Sequence, residues 1–153
     1  MNIIITGATG KIGSNLAKSL AKDHNLILHY NKNSGYAQEL KDELLKHNNN
    51  TALTISFDLS SDTDIFIDKC NSLLPCEGII ICHSLYKINN INNFNKKDYI
   101  EDININTLSP LLLIKAFAKK PFSKLVINFL DSKGLSLDSE HFTYSLSHLN
   151  FNI

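Results

Sequence analysis

Ile3-Ile4-Ile5-Thr6-Gly7-Ala8-Thr9-Gly10-Lys11-Ile12-Gly13 is an apolar run that breaks on glycine and leads straight into a segment of helical period. That order, strand then glycine turn then amphipathic helix, gives an otherwise weak glycine pattern its meaning. Gly7 permits a tight turn, Gly10 lets the backbone approach a pyrophosphate, and Gly13 lets the helix pack close to the strand. The free N–H groups of the helix start then face an anion. Thr6, Gly7, Gly10, Lys11, Ile12 and Gly13 are therefore candidate cofactor-binding residues. The competing reading is a plain strand–turn–helix connection with no ligand.

Outward from this turn, short apolar runs alternate with helical segments, the signature of βαβ units and a parallel sheet. Strands are predicted at Ile3–Thr6, Leu26–Tyr30, Leu53–Phe57, Gly78–Cys82 and Leu125–Leu130. Helix faces are predicted from Ile12, Leu16, Leu20 and Ala21, from Leu40, Leu44 and Leu45, and from Ile65, Cys70 and Leu73 between Asp62 and Leu74. A longer helix is expected from Lys97 to Ala118, and another begins near Phe142. Lys87 to Lys96, rich in asparagine, reads as an exposed loop. With right-handed crossovers the expectation is an α/β, Rossmann-type doubly wound parallel sheet of about five strands in the order 3-2-1-4-5.

The 153 residues suit a single domain, here 1–153, and 43% hydrophobic content is enough for an ordinary core. Fifteen lysines balance fifteen acids, there is no arginine, and the formal net charge is zero. Nothing in that balance favours nucleic acid or a membrane surface as a partner. Nineteen asparagines and abundant isoleucine point to an AT-rich genome rather than to a function. Cys70, Cys76 and Cys82 have neither metal-ligand nor CxxC spacing, so no metal is expected and reduced thiols suggest the cytoplasm. No stretch approaches the length of a membrane span.

After the second strand an NAD-preferring site would place an acid on the ribose hydroxyls. Here the run is His29-Tyr30-Asn31-Lys32-Asn33-Ser34. Tyr30, Asn31, Lys32, Asn33 and Ser34 offer donors and a positive charge, and Lys11 adds a second charge, so NADP(H) is favoured over NAD(H). Lys32 also reads as a solvated turn lysine.

These residues resemble the short-chain dehydrogenase/reductase family over essentially the whole chain. Asp58 and Leu59, in Phe57-Asp58-Leu59-Ser60, match the family's acid after the third strand, and the resemblance implies an adenine contact there. The family's Asn-Asn-Ala-Gly is replaced by Ile81-Cys82-His83-Ser84, which places Cys82, His83 and Ser84 beside the cofactor; as isolated residues Cys82 and His83 read as core-lining. Asn106 falls at the family's helix asparagine. Pro110 has no N–H, so the Asn106 carbonyl is expected to lose its helical partner, and the resemblance implies a proton relay there. Asp131, Ser132 and Tyr144 fall at the active-site positions. With the run after strand two, Asp131 resembles pteridine and dihydromonapterin reductases, in which Asp and Tyr protonate a reduced ring while NADPH delivers hydride. Ser132 is an alternative hydroxyl. The family's Tyr-x-x-x-Lys reads Tyr144-Ser145-Leu146-Ser147-His148, with histidine for lysine. As bare residues, Tyr144 and His148 are also a helix face at i, i+4 spacing.

The resemblance implies a reductase with Tyr144 as acid, Asp131 or Ser132 assisting, Asn106 in the relay and His148 at the lysine position. Its partners would be the nucleotide and a small heterocyclic or carbonyl substrate, with a homodimer or tetramer through the fourth and fifth helices. Relative to the family the chain is expected to be incomplete at its C-terminus. The alternative is a catalytically impaired nucleotide-binding remnant, or one piece of a split reductase.

Overall fold

The computed structural model describes residues 1–135 and 138–149. Strand β1 (Asn2–Thr6) is central, and the sheet runs β3-β2-β1-β4-β5 with every pair parallel. The others are β2 (Asn25–Tyr30), β3 (Ala52–Ser56), β4 (Gly78–Ile81) and β5 (Leu125–Asn128). Central strands covered on both faces are apolar throughout rather than alternating, and Ile3, Ile4, Ile5, Ile79, Ile80 and Ile81 are all buried. One core layer centres on Ile4, Ile27, Phe66, Ile79 and Phe117, and the other on Ile3, Ile5, Leu26, Leu28 and Leu40.

Helix α1 (Lys11–Leu20) lies on the second layer and buries Gly13, Ser14 and Ala17. Ile12, expected on its core face, is 51% exposed at the mouth of the cleft described below. Helix α2 (Ser34–His47) buries Ala37, Leu40 and Leu44 and leaves Leu45 outside. Helix α3 (Thr63–Leu73) corrects the expected face. Asp62 caps it through the Asp64 and Ile65 N–H groups, and the buried stripe is Thr63, Phe66, Ile67 and Cys70. Ile65 and Leu73 are therefore turned to solvent.

The long helix is interrupted. α4 (Lys96–Ile103) passes into a π-helical segment, Asn104–Leu108, before α5 (Ser109–Ala118). Pro110 sits at the start of α5, where its missing N–H costs least. In the wider turn the Ser109 N–H reaches the Asn104 carbonyl, so the carbonyl opposite Pro110 becomes that of Ile105. α6 (Phe142–Leu149) starts where expected. The segment Lys87–Lys96 before α4 is the mostly exposed loop its composition suggests, except that Asn89 is buried and bridges to His141.

Candidate functional site

A cleft of about 1200 Å³ opens at the carboxyl ends of β1, β2 and β4. Its floor is the glycine turn. Gly7 has φ +62°, and a side chain there would meet the His83 backbone at 2.7 Å. The Gly10 N–H closes the turn on the Gly7 carbonyl at 2.9 Å. α1 then begins with no side-chain cap and no acid in its first turn. Its first N–H groups are left facing the cleft with the positive end of the helix dipole behind them, which is what a phosphate requires.

Two histidines hold this turn from behind. The Gly7 N–H donates to His29 Nδ1 at 3.1 Å, and His29 Nε2 donates to the Phe57 carbonyl at 3.0 Å. Thr6 Oγ1 accepts from the Cys82 N–H and also hydrogen-bonds His83 Nδ1 at 2.8 Å. His83 Nε2 lies 3.1 Å from Ser109 Oγ, and the Ile105 main chain also hydrogen-bonds this ring. The carbonyl left over by Pro110 is thus met by a side chain from the end of β4.

Burial lowers the pKa of His29 to about 4 and of His83 to about 3. Both are neutral in the folded protein above those values, whereas an unfolded histidine takes up its proton near 6.5. Between roughly pH 6.5 and 4 the unfolded chain binds more protons, so stability falls as pH falls. At about 1.4 kcal/mol per pKa unit, His29 alone contributes on the order of 3 kcal/mol that is present at pH 7.5 and mostly lost at pH 4. Thermal melting across that range is expected to show the loss, and His29→Gln is expected to reduce the dependence. An equally steep profile in the variant would show that His29 is not its source.

The cleft wall carries Asn31, Lys32 and Asn33 after β2, then Asp58, Leu59 and Ser60 after β3, then Cys82, His83 and Ser84 after β4. Asp58 accepts the Ser60 N–H and hydroxyl, which hold its carboxyl below the usual range. Thr6 and Gly13 lie behind the turn rather than in the wall, and Tyr30, Ser34 and Ser132 also fall outside the lining. The lining adds residues that sequence reasoning missed: Thr9, His29, Tyr86, Lys97, Ile100 and Asn104. Ile100 and Asn104 are one helical turn apart, but only the tilt of α4 over the cleft shows which of its faces looks in.

In the same cleft Tyr144 Oη donates to Asp131 Oδ2 at 2.8 Å. Burial, then the Asp131 carboxylate, push the phenol above its ordinary value, while Ser84 hydrogen-bonds it in the opposite sense. Tyr86 stands edge-on to Tyr144 at 4.7 Å. His148 packs its ring on Tyr144 at 4.5 Å, outside the lining, and burial pushes its pKa down. Asn106 is buried and its amide is engaged. Its Oδ1 accepts the Leu85 N–H at 2.8 Å, and its Nδ2 donates to the Leu85 carbonyl and to Ser147 Oγ, both at 3.0 Å.

The glycine turn at a helix N-terminus and the Tyr144–Asp131 pair line one cleft, and residues 1–126 match the short chain dehydrogenase family. The chain belongs to that family. It is 30% identical over 115 residues to the uncharacterized oxidoreductase YmfI of Bacillus subtilis (strain 168), covering 73% of this chain and 47% of that one. The chain thus spans about half the length of this family relative. An alcohol dehydrogenase from the archaeon Thermococcus sibiricus, complexed with 5-hydroxy-NADP, superposes with a TM-score of 0.87 at 19% identity, over 97% of this chain and 65% of that one. The FolM alternative dihydrofolate reductase 1 of Brucella canis, complexed with NADP, gives 0.84 at 18% identity, over 97% and 62%. Both share the family's fold. Among the described residues no helix is long and apolar enough to cross a membrane, and no cluster of His, Cys, Asp and Glu suits a metal ion.

Proposed function

We propose that the cleft binds NADP(H) and that the chain is a reductase of a small heterocyclic or carbonyl substrate, with Tyr144 as its proton donor. One observation carries this reading: the phosphate cradle at Gly7, Thr9, Gly10 and Lys11 and the Tyr144–Asp131 pair line the same cleft. The residues fit the cofactor, since Gly7 and Gly13 leave no room for side chains and the α1 amides face the opening. When bound, NADPH supplies a hydride to an electrophilic carbon. Tyr144 then gives its proton to the atom that carries the resulting negative charge. Asp131 orients that hydroxyl, Ser84 steadies its oxygen, and Asn106 holds the Leu85 main chain beside them. A heterocyclic substrate of pteridine type is favoured by Asp131 at the tyrosine and by the FolM reductase among the fold's neighbours.

NADP(H) over NAD(H) rests on the cleft after β2, where Asn31, Lys32 and Asn33 replace an acid. A charge-assisted hydrogen bond to a 2′-phosphate is worth about 1.5–3 kcal/mol, or roughly 10- to 100-fold in affinity. Calorimetric titration of Lys32→Ala is expected to weaken NADPH by that factor and leave NADH unchanged. Equal affinities for both cofactors in the original protein would refute the preference.

A second reading, a nucleotide-binding module without turnover, is favoured by His148. Where the resembled family has a lysine, this ring is buried against Tyr144 and kept neutral. NADPH binding without NADPH oxidation, with dihydropterin and simple carbonyl substrates, would decide for it.

A further inference from the structure

We infer that Thr143, held between Asp102 and Asn89, is the positioning residue that sets Tyr144 over the cleft. The inference rests on Tyr144 being the proton donor.

Asp102, on α4, is 0% exposed, an expensive place for a carboxylate unless it is bonded. Its Oδ2 accepts the Thr143 hydroxyl. Among the described residues its Oδ1 has no hydrogen-bond partner, and Lys87 Nζ lies 4.0 Å away while bonding Asp98 and Glu101. Burial raises the Asp102 pKa, so little besides Thr143 offsets its desolvation.

Asn89 completes the arrangement from the loop after β4. Its Nδ2 donates to Thr143 Oγ1 at 2.6 Å, and its Oδ1 accepts the Thr143 N–H at 3.0 Å. Its main-chain carbonyl accepts the Phe142 N–H, and its N–H donates to Glu140. The first two N–H groups of α6, which a helix start leaves without intrahelical partners, are thus both capped by Asn89, a residue distant in sequence. Three residues before Asn89, Tyr86 stacks on His141 at 4.1 Å and meets Tyr144 edge-on.

The described part of α6 has eight residues, and contacts from outside it decide where its first turn sits. The π segment holds the middle of the helix through Asn106 and Thr107 on Ser147, while the contacts from α4 and the β4 loop meet on the residue directly before Tyr144. Thr143 Oγ1 serves as donor and acceptor at once. Removing it strands the Asp102 carboxylate and the Asn89 amide together, and α6 moves to relieve them. None of the three residues lines the cleft, so the cofactor site is left alone.

The test is tyrosine ring-carbon NMR on the whole protein through a pH titration, with the Tyr144 signal assigned by its loss in Tyr144→Phe. In the original protein Tyr144 is expected to ionise at higher pH than the ordinary tyrosines. In Thr143→Val its titration is expected to fall by at least one pH unit as the Asp131 contact is lost. Thr143→Ser, which keeps the hydroxyl, is expected to restore it, and NADPH affinity is expected to change less than threefold in both. If Thr143→Val does not fold, Asp102→Leu, which removes the acceptor, read in the same way decides. An unchanged Tyr144 titration in a folded variant lacking the contact overturns the positioning role and leaves the proton-donor reading standing. An ordinary Tyr144 titration in the original protein overturns both.

Discussion

Tyr144→Phe is expected to lower NADPH oxidation by about 100- to 10,000-fold, the range that a positioned proton donor contributes. The loss should appear in kcat, with NADPH affinity nearly unchanged, because the phenol is not part of the glycine turn and helix start that would hold the phosphates. Its environment also sets the pH dependence. A hydroxyl that donates to a carboxylate at 2.8 Å resists ionisation, and burial adds to that. Tyr144 therefore keeps its proton throughout the neutral range, as an acid for reduction must, and the alkaline limb of the rate profile is expected above the ordinary tyrosine range. Oxidation of an alcohol needs the phenolate as base and is expected to be slow at pH 7. Asp131→Asn is expected to lower the phenol's pKa and bring that alkaline limb down. Full turnover in Tyr144→Phe would remove Tyr144 from the chemistry, and absence of turnover in the original protein would leave nucleotide binding as the description.

Gly13→Ala is expected to weaken NADPH binding at least 10-fold and to destabilise the fold by about 1–3 kcal/mol, as overpacking a rigid contact does. The new Cβ falls on the Gly7 carbonyl oxygen and lies 2.9 Å from Ala8 Cα. Both obstacles are backbone, so nothing can rotate aside. α1 must retreat from β1, and its N-terminal amides retreat with it from the position a phosphate would occupy. For a chain of this size the melting temperature is expected to fall by about 2–4 °C per kcal/mol. Gly35→Ala is the control. That glycine lies within α2 and has nothing within 4 Å of an added Cβ, so the change is expected to stabilise by about 0.5–1 kcal/mol and leave NADPH alone. If Gly13→Ala bound NADPH normally, the close helix–strand approach would not be what forms the site.

The sequence by itself determined the sheet, its strand order and the glycine turn, because each is written in local pattern. Apolar runs such as Ile3–Ile5 and Gly78–Ile81 are continuous where both faces are covered, and a parallel crossover has one favoured hand. The pairing of Asp131 with Tyr144 was legible only through the resemblance to the family, and the two do meet. Only the tertiary structure decided the rest. Ile65 and Leu73 looked like core in α3, but the face that packs toward α5 and the sheet gave the core to Phe66 and Ile67. Pro110 announced a freed carbonyl, yet the π turn moved it to Ile105, where the His83 ring meets it. Asn89 read as one polar loop residue among many, but it is buried as the cap of α6. Periodicity records which way a residue faces within its own element. Helix phase, π register and caps reached across 54 residues depend on which elements meet, and burial decides that only once the chain has folded.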